Sequence, residues 1–350
     1  MINKINRFWF GLVFCSIFLI SLNKSFCNES LRSVPIRQQP ESRNLKGFTE
    51  SPYFNEQTIS FNYAPEINVE INAPGEKEFG PAKKVMLIFY ALPNMNTIAE
   101  TIGRQKKKGE DWHYDIQQIG AQTRFLRNLI KDYNIVVAYM ATEEESWPWW
   151  KMKHPGGDYI IRNVIDSVEN IFRSFNTDVV FCSHSGGGTF ELGYINSVDK
   201  IPNKVKRISF LDSEYDYSNK LKHGDKIINW LNAASDHFLC AIAYDDRDVI
   251  VEGKKVATFE GGTYYRTNLM ERRLAKNFNF TNEPDTLFTK LSALNGRIKF
   301  FIKYNPDHQM WHTLLVEKNG FIESIVSGTA YENNGYVFWG PRAYSEYIQP

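Results

Sequence analysis

The sequence predicts an α/β fold, a mostly parallel sheet of about eight strands with helices on both faces. Three observations predict it. Solid apolar runs recur along the chain, which implies strands buried on both faces. Each run is followed by a stretch with helical periodicity. One run ends abruptly in serines and glycines, the chemistry of a tight turn at the carboxyl end of a strand.

Taken in order, residues 1 to 27 carry Lys4 and Arg7 ahead of an apolar stretch from Phe8 to Leu22, then Ser25 and Cys27 spaced as at a signal-peptidase site. A signal peptide cleaved after about Cys27 is expected. It leaves a secreted or periplasmic protein with no stable membrane span, because the apolar stretch is shorter than the roughly 20 residues a spanning helix needs. Residues 28 to 46 are polar, hold Pro35 and Pro40, and read as a flexible lead-in. Residues 47 to 350 read as a single catalytic-sized domain without internal repeats.

Thr58 to Asn72 alternates apolar and polar residues in two bursts broken by Pro65, the pattern of an antiparallel edge pair. The continuous apolar strands follow at Val85 to Tyr90, Ile135 to Met140, Asp178 to Cys182, Val205 to Leu211, Phe238 to Tyr244 and Ile298 to Tyr304. Helical periodicity fills Ile116 to Lys131, Asp158 to Phe175, Gly187 to Ser197, Lys226 to Ala234, Tyr264 to Asn277 and Gly320 to Ser327.

Bulk properties narrow the function. With a net charge of +1 the chain lacks the basic footprint that binding a phosphate backbone requires, so nucleic acid is not expected as a partner. Neither H-E-x-x-H nor a CxxC pair occurs, and no glycine motif has dinucleotide or P-loop spacing, so no metal and no cofactor is expected.

The informative turn is V-V-F-C-S-H-S-G-G-G, Val179 to Gly188. A strand that turns sharply into a helix puts its tip residue in a strained conformation and needs small residues two positions to each side. With Ser185 at the tip those positions are Ser183 and Gly187; with Ser183 at the tip, one would be Phe181, which is too large. Ser185 is therefore the candidate nucleophile, standing before a helix N-terminus that favours developing negative charge.

The S-H-S-G-G segment resembles the nucleophile elbow of the α/β-hydrolase superfamily, G-x-S-x-G, with Ser183 in place of the first glycine. The resemblance implies a serine hydrolase whose chain order is Ser, then Asp or Glu, then His. On that order the base is His312 or His308 in N-P-D-H-Q-M-W-H, with His312 favoured because the loop from Asn305 gives it reach. Asp246 is the first candidate acid, with Asp245 and Asp248 behind it in D-D-R-D; a further reading takes Asp212 or Glu214 from L-D-S-E. The oxyanion hole would combine the N–H of Gly186 with that of Leu92 or Asn94, since Pro93 between them has none.

Trp147, Trp149 and Trp150 crowd a Pro/Gly-bounded insertion and are candidates for a flat wall against a sugar ring or acyl chain. His113 is a second candidate for the mouth, and Arg266 for holding a carboxylate or sulfate. The expected activity is carboxylic-ester hydrolysis through an acyl-enzyme, on a small-molecule or polysaccharide ester. A peptidase or acyltransferase on the same fold, or a non-catalytic carbohydrate-binding relative, remain the alternatives. The superfamily's sheet order would leave Cys182 and Cys240 about 10 Å apart with a strand between them, beyond the roughly 7 Å reach of a disulfide.

Overall fold

A computed structural model describes residues 45 to 258 and 260 to 350. The expected signal peptide and nearly all of the lead-in lie outside the described residues.

The strands are β1 (Thr49–Glu50), β2 (Glu56–Tyr63), β3 (Ile67–Pro74), β4 (Lys84–Ala91), β5 (Tyr133–Thr142), β6 (Thr177–His184) and β7 (Val205–Leu211). They continue with β8 (Phe238–Tyr244), β9 (Ile250–Val251), β10 (Lys254–Lys255), β11 (Thr281–Glu283), β12 (Phe288–Ala293) and β13 (Ile298–Lys303). The helices are α1 (Ile98–Ile102), α2 (Ile119–Leu129), α3 (Trp147–Lys153), α4 (Gly157–Ile171), α5 (Gly188–Ser197), α6 (His223–Ala233), α7 (Thr263–Leu274), α8 (Leu314–Glu317) and α9 (Gly320–Val326).

One 11-stranded sheet has the order β1-β2-β3-β5-β4-β6-β7-β8-β13-β12-β11. From β5 to β13 the neighbours run parallel. The two margins are antiparallel. The sheet is wider than the expected eight strands because β1, β11 and β12 add to its edges. These strands are short or mixed in character, F-T-K-L-S-A in β12, so no solid apolar run announces them. The expected antiparallel pair is β2 and β3, but β3 pairs on its other side with β5 and so is not an edge.

The pleat explains why the central strands are apolar throughout. Leu87, Phe89 and Ala91 of β4 enter a core with α3, α4, α5, α6 and α7. Ile88 and Tyr90, alternating with them, enter a second core with α2, α8 and α9. Each buried leucine, isoleucine or phenylalanine among them contributes roughly 1.5–3 kcal/mol by leaving water, and each strand supplies both faces. The strand β7 separates Cys182 from Cys240, and both thiols are buried and free. Among the described residues no helix is long and apolar enough to cross a membrane.

Candidate active site

The strand β6 ends at His184, Ser185 takes φ +53°, and a 3-10 turn over Ser185–Gly187 leads directly into α5. A left-handed serine costs of order 1–3 kcal/mol and persists only where its surroundings impose it. Here the glycines let the surroundings close in. A Cβ on Gly186 would overlap the Asn94 side chain, one on Gly187 the carbonyl of Ala91, and one on Gly188 the carbonyl of Ser213. Two backbone segments and the Asn94 side chain thus converge on the turn, and only hydrogen atoms fit between them. Ser183 and His184 are buried, whereas Ser185 is half-buried and reaches the surface.

The loop that carries His308 and His312 follows β13. Asn305 organises it: its side-chain amide donates to the carbonyls of Asp245 and Gln309, both at 2.9 Å, and its oxygen accepts from the Gln309 N–H at 2.9 Å and the Trp311 indole at 2.8 Å. The loop then brings His312 to the elbow, its ring 4.5 Å from that of His184, the neighbour of Ser185. Its Nδ1 lies 2.5 Å from Asp212 Oδ2, which leaves Nε2 as the nitrogen available to a serine proton. Burial, followed by the nearby His312, holds the His184 imidazole well below its usual range, so His184 is neutral. His308 is exposed on the same loop.

The carboxylate that meets His312 is Asp212, and the expectation of Asp246 is corrected. Asp212 is fully buried at the end of β7 with φ +49°, and its N–H donates to the Ile242 carbonyl at 2.6 Å. The hydroxyl of Thr263 donates to its other oxygen. The same hydroxyl lies 3.3 Å from Asp246, whose carboxylate accepts the Thr263 N–H at 2.8 Å. Asp246 therefore sits one hydroxyl behind Asp212. Burial and then the charge of Asp212 raise its carboxyl to about 6. Asp245 pairs with Arg247 and Asp248 with Lys255, each at 2.7 Å. Glu214 is buried; burial first, and Asp212 second, push its carboxyl well above the usual range.

Around Ser185 the remaining expectations divide. The Leu92 N–H donates to the Met140 carbonyl at 3.1 Å, so it serves the sheet and not an oxyanion. Asn94, packed against Gly186, remains beside the turn. The tryptophan insertion is the helix α3, begun by Ser146 accepting the Trp149 N–H and by Pro148 in the first turn. Trp147 and Trp150 are core residues, not a substrate wall: their rings pack edge to face at 5.4 Å, and their indoles donate to Met140 and Pro65 carbonyls at 3.1 and 2.9 Å. Trp149 alone of the three is exposed, at 61%, on a helix that packs against the elbow turn. Arg266 donates to the Tyr217 carbonyl at 3.0 Å. His113 pairs with Asp111 at 2.5 Å and stacks on Trp112.

Glu100, Asp111 and His113 present ligand atoms within 4.8 Å of one another. Hydrogen bonding accounts for them without an ion: Glu100 closes a capping box with Thr97, and Asp111 caps the turn that carries His113.

Sequence reasoning missed the support of the elbow, where Ser183 bonds to Glu191 at 2.5 Å and to Ser213 at 2.8 Å. The signal was present: Glu191 is the one acidic residue in G-T-F-E-L-G-Y-I-N-S, an otherwise uncharged helix.

No protein-family profile matches the chain, and no curated protein matches it in sequence. Solved structures do resemble it. A thermostable esterase is 14% identical with a TM-score of 0.44, the likeness covering 80% of this chain and 62% of that one, so the chain spans less than two thirds of that protein's length. The feruloyl esterase module from Clostridium thermocellum is 12% identical with a TM-score of 0.46, covering 81% of this chain and 93% of that one. The glucuronoyl esterase from Solibacter usitatus is 11% identical with a TM-score of 0.40, covering 82% and 85%. A parallel sheet clothed on both faces, with a strand, a strained serine turn and a helix at its centre, gives this chain an α/β-hydrolase fold.

Proposed function

We propose that the chain is a serine hydrolase that cleaves carboxylic esters through an acyl-enzyme on Ser185. One observation carries this reading: His312, held through Nδ1 by the buried Asp212, lies with its ring 4.5 Å from that of the residue that precedes a half-buried serine in a left-handed turn. In this reading the Ser185 oxygen attacks the ester carbonyl while its proton passes to His312 Nε2. Asp212 holds the tautomer and stabilises the imidazolium. The carbonyl oxygen, now negative, faces the Gly186 N–H and the N-terminus of α5. The alcohol leaves with the proton from His312, and water then releases the acid by the same steps in reverse.

The export pattern of residues 1 to 27 and the exposed indole of Trp149 support a substrate outside the cell, with acyl groups on extracellular polysaccharide as the class. A fluorophosphonate probe tests the chemistry: it should label the chain, and the label should vanish in Ser185→Ala and His312→Ala. Failure of the folded wild type to label removes the serine-hydrolase reading and leaves a non-catalytic, carbohydrate-binding role. Given labelling, acetyl and feruloyl esters compared with peptide and acyl-acceptor substrates separate an esterase from a peptidase or acyltransferase.

A further inference from the structure

The elbow motif calls for a small residue at position 183, and glycine would satisfy it. Serine instead places a hydroxyl where no water reaches, since Ser183 is 0% exposed. A buried hydroxyl must find partners, and Ser183 finds two. Its oxygen lies 2.5 Å from Glu191 Oε2 and 2.8 Å from the Ser213 hydroxyl. Glu191 belongs to α5, the helix launched by the nucleophile turn, while Ser213 directly follows Asp212. The chain Glu191, Ser183, Ser213 therefore joins the helix, the end of the nucleophile strand and the turn that carries the acid. Two of these elements also meet in the backbone, where the Ser213 carbonyl closes on Gly188.

We infer that Glu191 is a positioning residue which, through Ser183 and Ser213, holds the Ser185 turn in register with the Asp212 turn and hence with His312. The inference rests on the serine-hydrolase reading above. Glu191 is 1% exposed, and its partners are neutral groups, the Ser183 hydroxyl and the Ser209 backbone. Burial drives its carboxyl up to about 8, which favours the neutral acid at pH 7, and its Oε2 accepts the Ser183 hydroxyl. The titratable side chain that feels its charge is the buried Cys182, and Asp212 is the charged group next to the Ser213 end of the chain. Ionising Glu191 would place a second negative charge in this dry network and weaken the registration it provides.

The test measures kcat and KM for p-nitrophenyl acetate, and fluorophosphonate labelling rates, on the full chain. Ser183→Gly restores the motif glycine and deletes both hydrogen bonds; kcat and the labelling rate should fall about 10- to 100-fold with KM nearly unchanged, the signature of a misplaced catalytic group. Glu191→Ala should fall similarly. Glu191→Gln keeps a donor and an acceptor and should stay within about threefold of wild type at neutral pH, and should lack the decline in kcat expected of wild type as pH rises through about 8. Wild-type kcat in folded Ser183→Gly, or a Glu191→Gln variant as impaired as Glu191→Ala, overturns the assignment. Should Glu191→Ala fail to fold, Ser183→Gly and the pH profile of Glu191→Gln decide. A folded wild type that does not label overturns the serine-hydrolase reading itself, a different outcome from a labelled wild type with indifferent variants.

Discussion

His312 is tied to Asp212, not to Asp246: its Nδ1 lies 2.5 Å from the Asp212 carboxylate, while Asp246 stands behind the Thr263 hydroxyl that Asp212 also accepts. Two buried carboxyls thus occupy the ends of neighbouring strands, and hydrogen bonding gives them different partners.

Their difference is measurable. Asp212→Asn should lower kcat for a soluble ester by roughly 10³- to 10⁴-fold, because the amide presents the wrong partner to the imidazole N–H. Asp246→Asn, which keeps an acceptor for the Thr263 N–H, should cost about tenfold or less. Equal losses in steady-state assays of the two variants would contradict the assignment of Asp212.

The three glycines should respond unequally to a methyl group. Gly187→Ala and Gly188→Ala drive Cβ into backbone carbonyls of Ala91 and Ser213, which cannot swing aside. Each should lose about 3 kcal/mol or more in urea unfolding. Gly186→Ala meets only the Asn94 side chain, which is exposed and can rotate. Its stability loss should be smaller than theirs, with the damage appearing in kcat instead.

Trp147 and Trp149, two positions apart, should separate core from surface. Trp147→Ala removes a ring that is 1% exposed and packed against Trp150 and Phe190, at a cost of about 3–5 kcal/mol. Trp149→Ala should change stability by no more than about 0.5 kcal/mol. If the exposed indole lines the substrate path, that variant should raise KM for aromatic or sugar esters; an unchanged KM across an ester panel would remove Trp149 from the site.

Glu323 should give stability a pH dependence whose sign follows from its burial. Burial raises its carboxyl from 4.5 to about 7, even though it accepts the Tyr336 hydroxyl at 2.5 Å. Across that window the folded chain keeps a proton that the unfolded chain has released, so this group's contribution is full below the window and is lost as pH rises through it. The slope is at most about 1.4 kcal/mol per pH unit. The difference in unfolding free energy between wild type and Glu323→Gln should change with that sign from acid to neutral pH. A difference independent of pH would show that Glu323 is ionised in the folded protein.

The sequence by itself determined the parallel core of the sheet and the identity of the turn at Ser185. Both follow from local physics: a strand buried on two faces must be apolar at every position, and a sharp turn admits only small residues beside its tip. With the chain order that the α/β-hydrolase resemblance implies, it also narrowed the candidate base to two histidines, because only they follow the last long apolar run. Tertiary structure decided the rest. Asp212 and Asp246 close adjacent strands with similar local sequence, and only the path of the loop carrying His312 selects between them. Trp147 and Trp149 share one insertion, and the helical turn of α3 sends one inward and the other outward. The hydrogen bonds of Ser183 join residues up to 30 positions apart. Spacing along a chain cannot express such relations, because they arise where strand ends and loops distant in sequence come within a few ångströms of each other.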